Sequence, residues 1–567
     1  VQRVLAGTAS NPNGDAQGSY WLVTDPSGTR YYFGLQAWNT ASPATNSALT
    51  VPVRATLSTQ PCWTSSGNTC QLAWRWNLAY VIDANINVQS WIWGRQTTSY
   101  QPAGGTVRHY DSAGYLSQIY YGSRSTSGQA PARLWLKYSG RCDQVPSGTC
   151  DYPSAATAIH YPDIPFDQWC SGTATSCPSG PTVPAFFSLD RLDSVVAQVW
   201  NGSTWSYVER ANLDYSFPSP GNGDDPSLYL SGITRIGSTA AAVTLPRTFF
   251  NGVLLANRYD STPTSYSKWR IDDVVTELGG HILVTYDQPD GCSTAAVVGH
   301  EDSQTRDCFP RIKPGTTTTE WFNKYLVSQV EVTDRYGAPS MTTSYTYLGG
   351  AAWHSDDDPV APVAEQSWGD YRGYSKVIVH RGTDPASWTT DEYTFFRGMH
   401  GDWNANGSTD AVNVSTATGD AVRPDYHQLR GRLLEHRRLT QAGTSEYSRD
   451  LHQYWAKVTA VGPTRPHGLS LHDAVMVREN ATADQITQDN VSRKYLRQVS
   501  HQFEGTYGLP ASTSDTGDPI SDTGGTCTIT SYAQNATAYL IALPKTVTTY
   551  VGQCPAGAGV APTTAKL

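Results

Sequence analysis

Short runs of alternating apolar and polar residues, each closed by a turn signal, recur along this chain. Residues 20–24 and 30–33 alternate on either side of Asp25-Pro26-Ser27-Gly28, which reads as strand, turn, strand. Residues 74–83 and 89–94 continue the pattern. Trp200 and Trp205 flank Asn201-Gly202, a strong hairpin signal. Residues 274–286 are two alternating segments joined through Gly279-Gly280. Residues 321–327 and 344–350 follow the same grammar, and beyond residue 420 the runs lengthen, at 432–437, 453–458 and 544–550. Residues 187–199 fit a strand or a short helix. No long amphipathic helix is evident.

The period of two predicts an all-β fold of many short antiparallel strands and hairpins. These form either one continuous sheet surface or several fused β-domains. Three regions are expected. Residues 1–183 form an N-terminal β region whose irregular, proline-rich end (140–183) carries cysteine loops. Residues 184–420 form a middle β region, and residues 421–567 a longer-stranded C-terminal region with a frayed Ala/Gly/Pro-rich tail from 555.

Residues 110–122 are the most telling segment. Asp111 is placed to accept backbone N–H groups in an Asx turn, and Gly114 to supply a positive φ, which predicts a small hairpin. It carries no nucleophile, metal cluster or phosphate loop.

Composition narrows the setting. Charged residues are 16%, against roughly 25% in average soluble proteins. Tyr (33) and Trp (18) are abundant and Met (3) is scarce, a profile suited to pleated, half-buried surfaces. The net charge of -9 and scattered basic residues exclude a nucleic-acid partner. No apolar run approaches the ~20 residues of a membrane helix.

The 10 cysteines fall into local pairs: Cys62/Cys70, Cys142/Cys150, Cys170/Cys177, Cys292/Cys308 and Cys527/Cys554. Neighbour pairing explains both their even number and their spacing, although sequence does not fix connectivity. Zinc spacing is absent. Disulfides imply an oxidising compartment, hence a secreted, extracellular or cell-wall-associated protein. With no signal peptide at Val1, the chain is expected to be a processed piece of a secreted precursor.

Candidate chemistry is thin. Asp402, Asn404, Asn406 and Asp410, with Gly407 between them, match the first half of a calcium loop. Asn413 stands at the twelfth position in place of the bidentate Glu, so a weak calcium site or a plain Asn/Asp/Gly hairpin is expected, the hairpin being favoured. Asp356, Asp357 and Asp358 follow His354 and read as a solvated turn before Pro359, with a metal or acid–base role as the alternative. His281, inside an alternating strand, reads as a hydrogen-bonded sheet histidine. No Gly-x-Ser-x-Gly elbow or phosphate loop occurs. No catalytic residue is assigned, and no enzyme is expected.

A family resemblance attaches to these residues. Tyr110, Asp111, Gly114, Leu116, Ile119, Tyr121 and Gly122 resemble the YD-repeat unit of the Rhs family, with Tyr115 where that family usually has Arg. Ordered landmarks resemble secreted actinobacterial Rhs/YD-repeat proteins of the polymorphic-toxin, wall-associated type: residues 25–34, 74–78, 345–354, 368–374, 395–402 and 429–432. The resemblance spans roughly residues 20–435. It implies a non-enzymatic segment of a β-sheet shell that encloses or presents a C-terminal toxin, distantly akin to insecticidal toxin-complex cocoons and teneurins. The self-cleaving core motif of that family is absent. The partners implied are downstream segments of the same precursor, a toxin payload and a cell-wall or surface glycan. The alternatives are an extracellular adhesin or carbohydrate-binding β-protein, and a glycan-acting enzyme whose two carboxylates face each other across a cleft.

Overall fold

The turn signals close hairpins by the chemistry they carry. Asn201 Oδ1 accepts the N–H groups of Ser203 (3.0 Å) and Thr204 (2.9 Å), and Gly202 takes φ +102°. The strands Asp190–Trp200 and Trp205–Ser216 then pair with Trp200 opposite Trp205. Thr276 and Gly280 close the turn between Ser267–Val275 and His281–Asp287, with Gly279 at φ +80°. Asp25 Oδ1 accepts from Ser27 and Thr29 (both 2.9 Å) between Ser19–Thr24 and Arg30–Phe33.

The computed structural model describes residues 1–567 except 40–41, 64–67, 125–127, 144–156, 178–179, 222, 239–241, 260–265, 294–296, 314, 359–361, 441–444, 463–472, 489–492, 518–523 and 538–539. It is almost entirely β, and helical structure is limited to turns of a few residues, such as Ala158–His160 and Val363–Glu365. The segment 187–199, open to strand or helix by pattern, is strand. Two compact units are present: Val1–Ser219 with Gly223–Phe250 and Gln534–Leu543, and Pro220–Asn222 with Asn251–Ala533 and Pro544–Leu567.

Both units are antiparallel meanders. In the first, Leu78–Ile82, Val88–Tyr100, Arg108–Ser123, Ala132–Gly140, Asp190–Trp200, Trp205–Ser216 and Tyr229–Gly237 each pair with the next. In the second, His281–Asp287, Leu326–Thr333, Met341–His354, Asp370–Arg381, Thr389–Phe395, Leu433–Leu439, Glu446–Ala460, Ala474–Gln488 and Arg493–Phe503 do the same. Short hairpins interrupt the meanders: Ala48–Arg54 with Thr69–Trp76, Cys308–Ile312 with Thr319–Asn323, and Asn413–Ser415 with Val422–Pro424.

The burial pattern is unusual for a sheet. A sandwich strand alternates buried and exposed positions. Here Ala132–Gly140 is half-buried at every position, and Trp205–Ser216 at all but one. In these two strands neither face is sealed.

Much of the cohesion is lateral. Glu392 bridges Lys376 (3.0 Å) and Arg437 (3.1 Å) across three strands, and Arg437 reaches Glu446 (2.8 Å). On the opposite face, Asp391 binds His436 (2.8 Å), which reaches Asp450 (3.2 Å). Asp391 and Glu392 are adjacent in one strand, so charged ladders run on both faces. Each cross-strand pair is worth roughly 0.2–1 kcal/mol.

Sealed cores occur where an excursion covers a strand. Cys142, Tyr161, Ile164 and Leu189 form one core with Phe166 and Trp169 from the 158–169 segment. Leu326, Ala351, Trp353 and Tyr374 pack beneath Phe309 and Trp368. Phe396, Val414, Leu429 and Leu434 form a third.

Residues 110–122 depart from expectation. They do not form a hairpin but lie within one continuous strand, Arg108–Ser123. Gly114 serves close approach and not a turn, since a Cβ there would meet Leu49 Cδ2 at 2.9 Å. Tyr110 and Asp111 fasten excursions to this strand. The Tyr110 hydroxyl donates to Ala185 O (2.6 Å) and accepts from Ala185 N–H (2.8 Å). Asp111 Oδ2 accepts from Thr50 N–H (2.9 Å) and Thr50 Oγ1 (3.2 Å). The tail also departs from its expected fraying. Leu567 N–H donates to Thr549 O (2.9 Å), and Gln502 Nε2 donates to Pro555 O (2.9 Å).

Four cysteine pairs are disulfide-bonded as the spacing indicated: Cys62–Cys70, Cys170–Cys177, Cys292–Cys308 and Cys527–Cys554. Cys142 is disulfide-bonded too, while Cys150 lies outside the described residues. No helix among the described residues is long and apolar enough to cross a membrane.

Replacing Asp111 with Ala strands the buried Thr50 N–H. We expect Asp111→Ala to cost about 2 kcal/mol in urea denaturation. A loss below about 0.5 kcal/mol would remove the fastening role given to this residue.

Candidate functional site

Three sites in the second unit gather chemistry-bearing side chains: the 402–410 turn, an acid pair on a tyrosine, and an open cleft.

The 402–410 turn begins as the calcium pattern suggests. Gly407 takes φ +84°, Gly407 N–H donates to Asn404 O (2.9 Å), and Asp410 N–H donates to Asp402 O (2.9 Å). Its side-chain oxygens are directed differently. Asp402 is buried and accepts from Ser355 Oγ (2.6 Å), Ser355 N–H (3.2 Å) and Trp403 N–H (2.9 Å). His354 Nε2 stands 3.5 Å away. Burial pushes the Asp402 carboxyl above the usual carboxylate range, against the pull of Ser355. Asn404 Nδ2 donates to Asp410 Oδ1 (2.7 Å), and Asn406 Oδ1 accepts from Ser408 N–H (2.8 Å). The four residues share one turn, but both Asp402 oxygens, Asn406 Oδ1 and Asp410 Oδ1 are engaged in bonds of the turn or with Ser355. A cation entering here would have to displace those bonds. No group of three His, Cys, Asp or Glu side chains that could hold a metal ion occurs among the described residues.

The turn is clamped to the unit. Trp403 stacks on Trp368 (5.1 Å, 5°), whose Nε1 donates to Trp403 O (2.9 Å). Asp425 receives Arg397 N–H (2.8 Å) and Gly398 N–H (2.7 Å) at the base of the excursion. Glu435, with no exposure, takes Ala417 N–H (2.7 Å) and Arg449 Nε (2.6 Å). Arg449 forks onto Asp420 and holds its carboxyl well below the usual carboxylate range.

His354 thus meets Asp402. Among its neighbouring acids, Asp356 closes a local turn with Asp358 N–H (3.1 Å) and lies 3.9 Å from Arg311. His281 sits beside Asp273 (3.0 Å) on the neighbouring strand, as a sheet histidine.

The acid pair escaped the sequence reading. The Tyr374 hydroxyl lies 2.8 Å from both Asp290 Oδ2 and Asp307 Oδ1. Asp307 is 0% exposed, and its Oδ2 accepts Asp290 N–H (2.8 Å). A phenol has one proton to donate. Both contacts are satisfied together only if one carboxyl is protonated and supplies a second. Burial raises the Asp307 carboxyl, with further rises from the Asp290 and Asp287 charges. It raises the Tyr374 phenol as well. Lys324, lowered by burial, holds its ammonium over the Tyr371 ring (4.6 Å). Asp307 is closed from solvent, so this pair presents no facing carboxylates to a substrate. A signal was available, since Asp290 stands two residues before Cys292 and Asp307 immediately before Cys308. The disulfide that joins those cysteines brings the acids together.

The cleft measures about 680 Å³ and opens at the ends of Thr389–Phe395, Leu433–Leu439 and Glu446–Ala460. Trp388, Thr389, Thr390, Asp391, Arg438, Leu439 and Tyr447 line it. Trp388 stacks on His380 (4.3 Å), whose imidazole is lowered by burial. Asp391 receives Arg381 and His436.

No protein-family model matches this sequence, and no curated protein does. Solved structures are similar to it. The crystal structure of TcdB2-TccC3-TEV matches with a TM-score of 0.47 and 10% identity, over 96% of this chain and 41% of that one. The Photorhabdus luminescens Tc holotoxin pore, carrying a TccC3 mutation, matches with a TM-score of 0.48 and 9% identity, over 95% and 40%. The chain therefore spans about 40% of the length of these Tc toxin chains. Likeness at this level assigns no residue a role.

Two outcomes test these sites. Calcium and EGTA should give the same thermal midpoint, and a rise of more than about 3 °C with calcium would restore the ion to the 402–410 turn. For Asp307, a raised carboxyl contributes stability that is complete below its unfolded value of about 4 and lost as pH rises through its folded value. Urea denaturation of wild type against Asp307→Asn should show wild type losing about 1.4 kcal/mol relative to the variant per pH unit between those values. Parallel pH profiles would remove the shared proton.

Proposed function

We propose that this chain is a structural wall segment of a secreted Rhs/YD-repeat protein of the actinobacterial, polymorphic-toxin type. It works without catalysis, as part of a β-shell that encloses or presents a toxin payload carried elsewhere on the same precursor. The observation that carries the reading is the half-buried character of both faces of Ala132–Gly140 and Trp205–Ser216, together with the charged ladders on both faces of the second unit's meander. A domain folded around its own core would seal one face. A wall meets water or cargo on both. The local disulfides fit service in an oxidising extracellular or cell-wall setting. The ordered Rhs-like landmarks supply the family, and the Tyr110–Asp111 fastening of excursions fits a repeat unit whose job is cohesion.

Protease footprinting of the secreted precursor, as its native producer releases it, tests this. The payload should stay uncut while the β-rich segment is intact, and become cleavable once mild denaturant opens that segment. A payload digested at the same rate in both conditions would sink the proposal.

A further inference from the structure

The cleft at Trp388 has unused recognition chemistry. Asp391 is already satisfied, because Arg381 binds one carboxylate oxygen and His436 Nε2 the other at 2.8 Å. Arg438 approaches Asp391 only to 3.9 Å, beyond a direct hydrogen bond, and its side chain is 62% exposed. Two guanidinium groups thus face one carboxylate, and Arg438, largely exposed at the cleft, is accessible to an incoming acceptor. Arg381 and Arg438 against Asp391 leave one positive charge on this side of His436, whose other nitrogen is taken by Asp450; that is too little for a nucleic-acid backbone but suited to one carboxylate.

The rest of the lining selects what carries that carboxylate. Tyr447 is 57% exposed, and its ring forms part of the wall. Trp388 is held in place by its stack on His380. An exposed flat ring offers an apolar face to the C–H side of a sugar ring, with a hydroxyl at its edge. Thr389 adds a second exposed hydroxyl. Among the described residues of the lining Leu439 is the single aliphatic one, so an acyl chain would find little to pack against. The volume lies within the range of small-ligand sites.

We propose that this cleft binds a carboxylated saccharide, with Arg438 taking the carboxylate and Tyr447 carrying a sugar ring. The site goes beyond the wall role. It would let such a segment hold acidic glycan, and its failure would leave the wall reading standing.

Titration calorimetry of the intact chain with trigalacturonic acid tests the site, alongside its neutral methyl ester and a triglutamate peptide of equal charge. The acid sugar should bind at least about tenfold more tightly than either control. Arg438→Ala should lose about tenfold, and Arg438→Lys should retain part of the affinity. Tyr447→Ala should lose about fivefold. Both side chains are exposed, so the variants should keep the wild-type thermal midpoint. The proposal is overturned by no heat at about 10 mM ligand, by equal binding of the ester, by tighter binding of the peptide, or by an Arg438→Ala variant that binds like wild type.

Discussion

Where a strand is half-buried on both faces, as Ala132–Gly140 is, the sheet must hold together edgewise. Much of the chemistry of this chain follows from that constraint. There, the hydrophobic effect that joins the layers of a sandwich is largely forgone. Stability falls to backbone ladders, cross-strand ion pairs and stacked rings. This accounts for the low Met and high Tyr and Trp content. A large amphipathic ring remains useful when one side is wet, as with Tyr393, which lies flat on His436 at 4.5 Å.

The excursions supply three of the sealed cores, beside the one that Tyr80, Ile82 and Val88 form on the strands themselves, and buried polar side chains attach them. Asn11 and Asn13 both donate to Gly34 O, Asp111 receives Thr50, Asp425 receives the 397–398 amides, and Glu435 receives Ala417. In each case a side chain satisfies backbone groups that no ladder reaches. An isolated buried donor would cost more than a typical hydrogen bond gains. These fasteners therefore fix the position of each excursion, beyond any contribution to net stability.

Much of this was legible in the sequence where the cause was local. The Asn201-Gly202 and Gly279-Gly280 turns form because φ > 0 is a property of the residue itself. The cysteine pairs lie close in sequence, so short loops find them. Gly114 shows where local reading fails. Its residue type says only that a side chain is absent, not whether the backbone needs a positive φ or a neighbour needs the space. Leu49, 65 positions away, decides it. The terminal segment was misread for the same reason, because its partners at Thr549 and Gln502 lie outside any local window. The Asp290–Tyr374–Asp307 cluster needed the Cys292–Cys308 link and a distant strand at once. At the 402–410 turn the spacing places the four residues in one turn, but the inward direction of Asp402 depends on Ser355, 47 residues earlier.

The pairing of each strand with the one before it bears on how the molecule is made. Sequence-near contacts close small loops, and such loops form quickly. A chain emerging N-terminus first from the ribosome can lay each new strand on an edge that is already in place, without waiting for its far end. Growth of this kind is incremental, and a hairpin gained or lost during evolution changes the length of a meander without altering the pairing of the strands already laid down.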